Sequence, residues 1–495
     1  MDSLFYENII SNIVDSVERF SNRSAFCINE EHYTYSLLGQ CISKIRSELS
    51  KTVYHNTKVG LVINDDLETY ASIVALWLEG NCYVPLHPNW PLERCLDICE
   101  QIEMDLILDS SESTRYENCR VINTTKIDYT NNYFVPKTGV SDDALAYILF
   151  TSGSTGKPKG VQLSRRNLAS FVDAFFDIYT MDENDKCLQC FDLTFDLSIM
   201  SYLIPLLKGA CVYTVPPDAI KYTYIGGLIE EERLTFALMA PSTIKYLKPY
   251  FDEIDCSSLR CSLFCGEGLP LDVTEEWSKC AKNAVIDNVY GPTENTIFCS
   301  TYRYNRNGNN KTHNGILSIG KPMRNCGMVV VDDDNRECAV GVVGELCLSG
   351  PQLTQGYYKN EKKNKECFFV KDGIVWYRSG DLCYKDADGD IMYSGRLDHQ
   401  AKIQGFRVEL GEIEWHARKF LGDKNVVCIA FDNKEGLTEI AMFIESLQFN
   451  PNEMIAYMRT KMPSYMIPSR LFFVPVFPLN ANDKTDKVKL KEMIL

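Results

Sequence analysis

The chain has 495 residues, too many for one hydrophobic core, because single cores stop growing at roughly 250–300 residues; at least two domains are expected. Its 45% hydrophobic and 24% charged content is that of a folded enzyme and argues against disorder. Lys+Arg 51 against Asp+Glu 67 leaves a net charge of −16, which argues against nucleic acid as a partner, since such binding needs a basic face.

The opening residues carry acidic Asp2 and Glu7 and no basic stretch before an apolar run, so they do not read as a secretory signal. Leu4, Ile9, Ile10, Ile13, Val14 and Val17 recur at helical spacing and predict an amphipathic helix. No run reaches the ~18 apolar residues of a membrane span. Membrane insertion is therefore not expected, and the cytoplasm is the expected compartment.

Residues 58–64 read as a strand leading into a helix over 67–80, and 146–150 as a strand followed by a Gly/Ser/Thr loop and a helix over 165–179. Further strand-like runs lie at 235–240, 259–265 and 284–290. Strands separated by helix-length segments predict parallel α/β layers. From about residue 327, short runs broken by Gly and Asp (327–334, 344–350, 373–380, 389–396) predict hairpins and a small β-barrel-like part. The pattern changes again near Arg396-Leu397-Asp398, after which helices at 413–422 and 453–462 are expected among strands at 425–432, 439–446 and 470–476. The expected division is a large α/β domain over 1–397 and a small α+β domain over 398–495.

Twenty cysteines are about 4% of so long a chain, below the roughly 8–10% of a disulfide scaffold. Cys261, Cys265 and Cys428 sit in apolar runs and are expected as buried hydrophobes in a reducing compartment. Cys187-Leu-Gln-Cys190 has no second pair and no nearby His, so a core strand is the better reading than zinc.

The segment Thr151, Ser152, Gly153, Ser154, Thr155, Gly156, Lys157, Pro158, Lys159, Gly160 follows directly on a predicted strand. Glycines let backbone amides approach an anion, hydroxyls donate to phosphate oxygens, and lysines offset the charge. The spacing is not that of a Walker P-loop, and Pro158 opposes the helix such a loop would begin. In Asn288-Val-Tyr-Gly-Pro-Thr-Glu294, Tyr290 offers an aromatic face for a purine and Gly291 and Pro292 a tight turn. Thr293 offers a hydroxyl for an α-phosphate, and Glu294 a hard oxygen suited to Mg²⁺.

These segments resemble the signatures of the adenylate-forming superfamily of amino-acid adenylation domains, acyl- and aryl-CoA synthetases and luciferases. The resemblance extends in order through Tyr83–Pro88, Thr151–Gly160, Asn288–Glu294, Tyr377–Asp381, Gly395–Asp398, Gln404–Glu414 and Tyr465–Pro468, so it covers essentially the whole chain. It implies ATP as cosubstrate with Mg²⁺. Thr151, Ser152, Gly153, Ser154, Thr155, Gly156, Lys159, Asn288, Tyr290, Gly291 and Thr293 are implied on the nucleotide, Asp381 and Arg396 on the ribose. Asp398 is implied as the hinge. Lys484 is implied as the catalytic lysine, stabilising developing phosphoryl charge as a flexible cation. The family keeps Gly before this lysine and Arg three after it; here Asp483 and Lys487 stand there.

The segment Cys190–Met200 bears on the acid that is activated. Its Phe195-Asp196 aligns with the pair whose Asp meets the substrate α-ammonium in amino-acid adenylation domains. A buried carboxylate without a cation is costly, so Asp196 implies a cationic ligand group. Asp192, four residues earlier, is a competing candidate for that role, and otherwise reads as an exposed turn residue. Pocket positions carried over are Leu197, Met200, Leu238, Leu263, Cys265, Val289, Ile297 and Phe298, whose bulk implies a small apolar substrate side chain. Residues 195–200 and 264–269 resemble the stand-alone D-alanine–carrier protein ligases, in which the Cys265 position lies beside the substrate methyl. Phe298 stands where those ligases keep a smaller residue, and glycine, L-alanine and serine stay open. The implied chemistry is aminoacyl-AMP formation, then transfer to the phosphopantetheine thiol of a carrier protein. An acyl- or aryl-CoA synthetase and a non-catalytic adenylate-binding relative are the alternatives; Asp196 argues against the first, Lys484 and Glu294 against the second.

Overall fold

The computed structural model describes residues 3–52, 56–128, 140–151, 158–397, 400–422, 424–447, 450–478 and 485–494. The chain divides into two compact units. The first comprises Met1–Pro88, Ile102–Leu149 and Gly160–Gly395; the second comprises Asn89–Gln101, Phe150–Lys159 and Arg396–Leu495.

The first unit is built on two parallel-type sheets. One runs in the order Arg120–Asn123, Leu106–Asp109, Lys58–Val62, Cys82–Leu86, Leu145–Thr151, Lys159–Ser164. The other has nine strands, and its parallel interior is Val285–Tyr290, Cys261–Phe264, Phe236–Met239, Lys186–Gln189, Cys211–Thr214 and Ser24–Ile28. Antiparallel Ser300–Arg303 and Glu31–Thr34 flank that interior. The interior strands are buried along most of their length, as expected where both faces are covered. Helix Leu67–Leu78 is buried at every residue but Glu68 and is capped by Asp66, which accepts from the Thr69 amide at 2.8 Å. Helix Asp196–Leu206 is buried along its whole length.

The amino-terminal helix departs from the expected face. Phe5, Ile9, Ile10, Ile13 and Val17 are buried, whereas Leu4 is 39% exposed. A π-helical turn over Tyr6–Ile10 precedes the α-helix Ser11–Arg19 and shifts the phase of the first turn, so Phe5 rather than Leu4 meets the core. The glycine-punctuated region forms the five-stranded sheet of Gly327–Val331, Gly344–Ser349, Ile374–Lys385, Phe368–Lys371 and Ile391–Arg396. The cysteines Cys187 and Cys261 lie buried in strands, Cys265 directly after one, as small core residues.

In the second unit, strands Val426–Asp432, Thr438–Glu445 and Arg470–Val474 form one sheet, beside helices Leu410–Leu421 and Asn452–Arg459. Its core is rich in methionine: Met442, Met454, Met458, Met462 and Met466. Arg94, from helix Leu92–Ile102, meets Glu412 at 2.6 Å with both side chains buried. Among the described residues no helix is long and apolar enough to cross a membrane.

Candidate active site

The first unit brings together a buried carboxylate, an apolar wall and a strained turn. Asp196 is the first residue of its helix, where the helix dipole favours negative charge. Its Oδ2 accepts from the Ile297 amide at 3.2 Å, and the Thr293 hydroxyl also donates to it. Burial nevertheless dominates and pushes its carboxyl up to about 7. Leu197, Met200, Leu238, Leu263, Cys265, Val289, Ile297 and Phe298 are all buried and belong to one continuous core cluster. Leu238 and Leu263 are register partners on adjacent strands, and Phe298 packs edge-on against Phe171 at 5.0 Å.

Strand Val285–Tyr290 runs into a 3₁₀ turn over Thr293–Asn295, after which Thr296 (φ 52°) and Ile297 (φ 70°) both adopt positive φ. For β-branched residues this costs about 1–3 kcal/mol each and persists only where the surroundings impose it. Gly291 is required at the same corner, since a Cβ there would lie 2.4 Å from the Phe298 Cα.

Asp192 is not an exposed turn residue. Its side chain is largely buried, with His87 Nε2 at 2.8 Å, the Thr194 amide at 2.8 Å and the Thr194 hydroxyl at 2.7 Å. Burial alone would raise its carboxyl, but these hydrogen bonds outweigh it and hold it below the usual carboxylate value. Its charge is thus already met from within the chain.

On the side expected to meet the nucleotide, Tyr290 donates its hydroxyl to Asp381 at 2.5 Å, with both residues buried. Asn288 uses Nδ2 on the carbonyls of Leu317 (3.3 Å) and Ser318 (2.8 Å), which leaves its amide oxygen as the group not spent in those bonds. Glu294 is fully buried; its Oε1 accepts from Tyr357 at 2.6 Å and its carbonyl from the Thr354 amide at 2.8 Å. Sequence reading missed Tyr357 and His87; the aromatic residue after Gly356 and the histidine inside Tyr83–Pro88 were the available signals. Among the described residues no group of three His, Cys, Asp or Glu could hold a metal. For Mg²⁺, Glu294 would supply one hard carboxylate oxygen of the kind that ion takes.

In the second unit, Arg396 donates to Gln400 at 2.7 Å and Lys159 pairs with Glu409 at 3.4 Å. The Thr151 hydroxyl is buried with no partner among the described residues. Ser152, Gly153, Ser154, Thr155, Gly156, Asp398 and Lys484 lie outside the described residues.

A layered α/β unit together with a small α+β unit is the architecture of solved adenylation domains. Residues 13–358 match the AMP-binding enzyme family, and the chain belongs to that family. A plipastatin synthase protein of Bacillus subtilis (strain 168) is 31% identical over 482 residues, 95% of this chain but 18% of the relative. The chain therefore spans less than a fifth of that relative's length. The solved Vibrio cholerae adenylation domain AlmE, in complex with glycyl-adenosine-5'-phosphate, has a TM-score of 0.87 at 25% identity, with 98% of this chain and 97% of that one covered. An NRPS protein containing adenylation and PCP domains shares the fold at TM-score 0.84 and 21% identity, over 98% of this chain and 84% of that one.

Proposed function

We propose that this chain activates a small amino acid with ATP as the aminoacyl-adenylate, releasing pyrophosphate, and passes the aminoacyl group to the phosphopantetheine thiol of a carrier protein. The observation that carries this reading is Asp196: a fully buried carboxyl pushed up to about 7 gains most from a ligand bearing a positive charge. An α-ammonium supplies that charge. The neutral chain of a fatty or aryl acid does not, which sets the CoA-synthetase alternative second.

In the first step a substrate carboxylate oxygen bonds to the α-phosphorus as the bond to pyrophosphate breaks. Asp196 holds the ammonium so that the carboxylate is presented in a fixed direction. Thr293 and Tyr290 border the adenylate, Asp381 and Arg396 the ribose, and the Thr151–Gly160 loop with Lys159 the phosphates. Lys159 then exchanges Glu409 for phosphate oxygens. Were Mg²⁺ bound, Glu294 would hold it, and the ion would supply positive charge to offset that of the phosphates. Lys484 offsets charge at the reacting carboxylate and phosphate, and rotation about Asp398 withdraws it before the thiol attacks. In that second step the thiol loses its proton, sulfur bonds to the carbonyl carbon and AMP leaves.

Phe298, Met200 and Leu197 restrict the substrate side chain. D-alanine is the first choice, because the Cys265 position lies beside the substrate methyl in the D-alanine–carrier protein ligases that the sequence resembles; glycine is the next, consistent with the glycyl-adenylate held by AlmE. ATP–pyrophosphate exchange over glycine, D- and L-alanine, serine, leucine, phenylalanine and fatty and aryl acids tests the reading. Exchange confined to the small amino acids is expected. Exchange with fatty or aryl acids alone would overturn it.

A further inference from the structure

The strained turn behind Asp196 does not hold itself. Gln352, fully buried in the loop after strand Gly344–Ser349, sends Nε2 to the carbonyls of Asn295 (3.3 Å), Thr296 (3.3 Å) and Phe298 (3.0 Å). Two amide hydrogens thus serve three acceptors, so one is shared. The Thr296 hydroxyl returns a bond to the Gln352 carbonyl at 2.5 Å. Cys326 donates its thiol to Gln352 Oε1 at 3.2 Å, which settles the direction of the amide, because a reversed group would set oxygen against three carbonyls.

Gln352 is itself fixed from behind. Asn167 Nδ2 donates to the carbonyls on either side of it, Pro351 at 2.8 Å and Leu353 at 2.9 Å. Asn167 belongs to the capping box with Ser164 that starts helix Arg165–Phe176, so the support begins on a rigid element. The series runs from that helix through Gln352 to the turn. From the turn it passes to the Ile297 amide on Asp196 and to the Ile297 and Phe298 side chains in the wall.

We propose that Gln352 is a positioning residue for amino-acid recognition: by holding the 295–298 carbonyls it keeps Thr296 and Ile297 at positive φ, and so aims the Ile297 amide at Asp196 and fixes the pocket wall. This rests on the functional reading above. Without the side-chain amide the turn relaxes toward negative φ, the Asp196 carboxylate loses the Ile297 amide while keeping that of Leu197, and the wall residues change direction. The effect falls on how the amino acid is held, with the nucleotide contacts little changed.

The experiment is ATP–pyrophosphate exchange with wild type, Gln352→Met, Gln352→Glu and Cys326→Ala. Gln352→Met is expected to raise the amino-acid KM about tenfold or more, to change kcat and the ATP KM less than about threefold, and to relax discrimination between glycine and larger side chains. In Gln352→Glu the carboxyl among three carbonyls stays protonated more readily and donates one hydrogen bond. Its KM, taken relative to wild type at each pH, is expected to recover toward acid pH, which that of Gln352→Met does not. A purely structural role would lower thermal stability and active fraction and leave KM and discrimination as they are; that outcome overturns the proposal. Should Gln352→Met not fold, Cys326→Ala decides: a KM rise of about two- to threefold supports the proposal, and an unchanged KM overturns it. A wild-type chain that exchanges no amino acid would overturn the functional reading itself, a result distinct from wild-type exchange with indifferent Gln352 variants.

Discussion

Asp192 and Asp196 lie four residues apart in sequence, the first largely buried and the second buried, and the chain treats them in opposite ways. Asp192 receives His87 and both the amide and hydroxyl of Thr194, and its carboxyl is held below the ordinary value. Asp196 receives the Ile297 amide and the Thr293 hydroxyl, but burial, aided by the repelling charge of Glu294, pushes it up to about 7. The difference separates a structural carboxylate, satisfied from within, from one that under the proposed function receives its counter-charge from the amino-acid ligand.

The strongest way to break this contrast is Asp196→Ala. Removing one partner of a buried charge pair typically costs about 3–5 kcal/mol, so kcat/KM for the amino acid is expected to fall about 10²–10⁴-fold in exchange assays. Asp196→Asn sharpens the point, because it keeps the shape and discards the charge. Between the unfolded value of 3.8 and about 7 the folded chain keeps a proton that the unfolded chain releases, so wild-type stability falls as pH rises through that window. Asp196→Asn abolishes that loss. It is expected to be at least as stable as wild type at pH 8 in urea melts while lacking amino-acid exchange. An Asn variant with full exchange would remove Asp196 from the site.

A smaller effect is the pH dependence of recognition in the wild type. An ammonium pairs with the ionised form of Asp196, which is the minor form below about 7. The amino-acid KM is therefore expected to fall about tenfold for each pH unit gained below that value and to level off above it. A KM independent of pH between 6 and 8 in the wild type would mean that the carboxyl is already ionised in the free protein.

The fold was legible where local pattern and burial agree. Apolar runs at 58–64, 146–150, 235–240, 259–265 and 284–290 are strands because buried parallel strands need no polar face. What could not be read depends on contacts across the chain. Leu4 was expected inward, but a π turn hands its place to Phe5. Residues 89–101 belong to the second unit although they lie far earlier in the chain, and only pairs such as Arg94–Glu412 reveal that. Motif order brings Asp196 and its apolar neighbours out as a set, and the structure gathers those neighbours in one cluster. Gln352 leaves no such trace: its role arises from the shape of the backbone it binds, and a lone glutamine in Gly350-Pro-Gln-Leu-Thr carries no pattern of its own. Asp192 was misjudged as exposed because its partner, His87, lies more than a hundred positions away.

The least disruptive change tests the other carboxylate. His87→Ala takes one donor from Asp192 and leaves the two from Thr194, so the carboxylate stays buried with its charge less fully met. A loss of about 1–3 kcal/mol is expected at neutral pH in urea melts. Its pH dependence identifies the cause. A carboxyl held below its unfolded value of 3.8 stabilises the fold above that pH, and the contribution disappears as pH falls through the lower folded value. The gap between wild type and His87→Ala should therefore be widest near neutrality and close in strong acid, where Asp192 is protonated in both. Because Asp196 keeps its own donors in this variant, the amino-acid KM should stay within about twofold of wild type. A larger rise in KM would mean that the two carboxylates act as one unit, with His87 reaching the substrate through both.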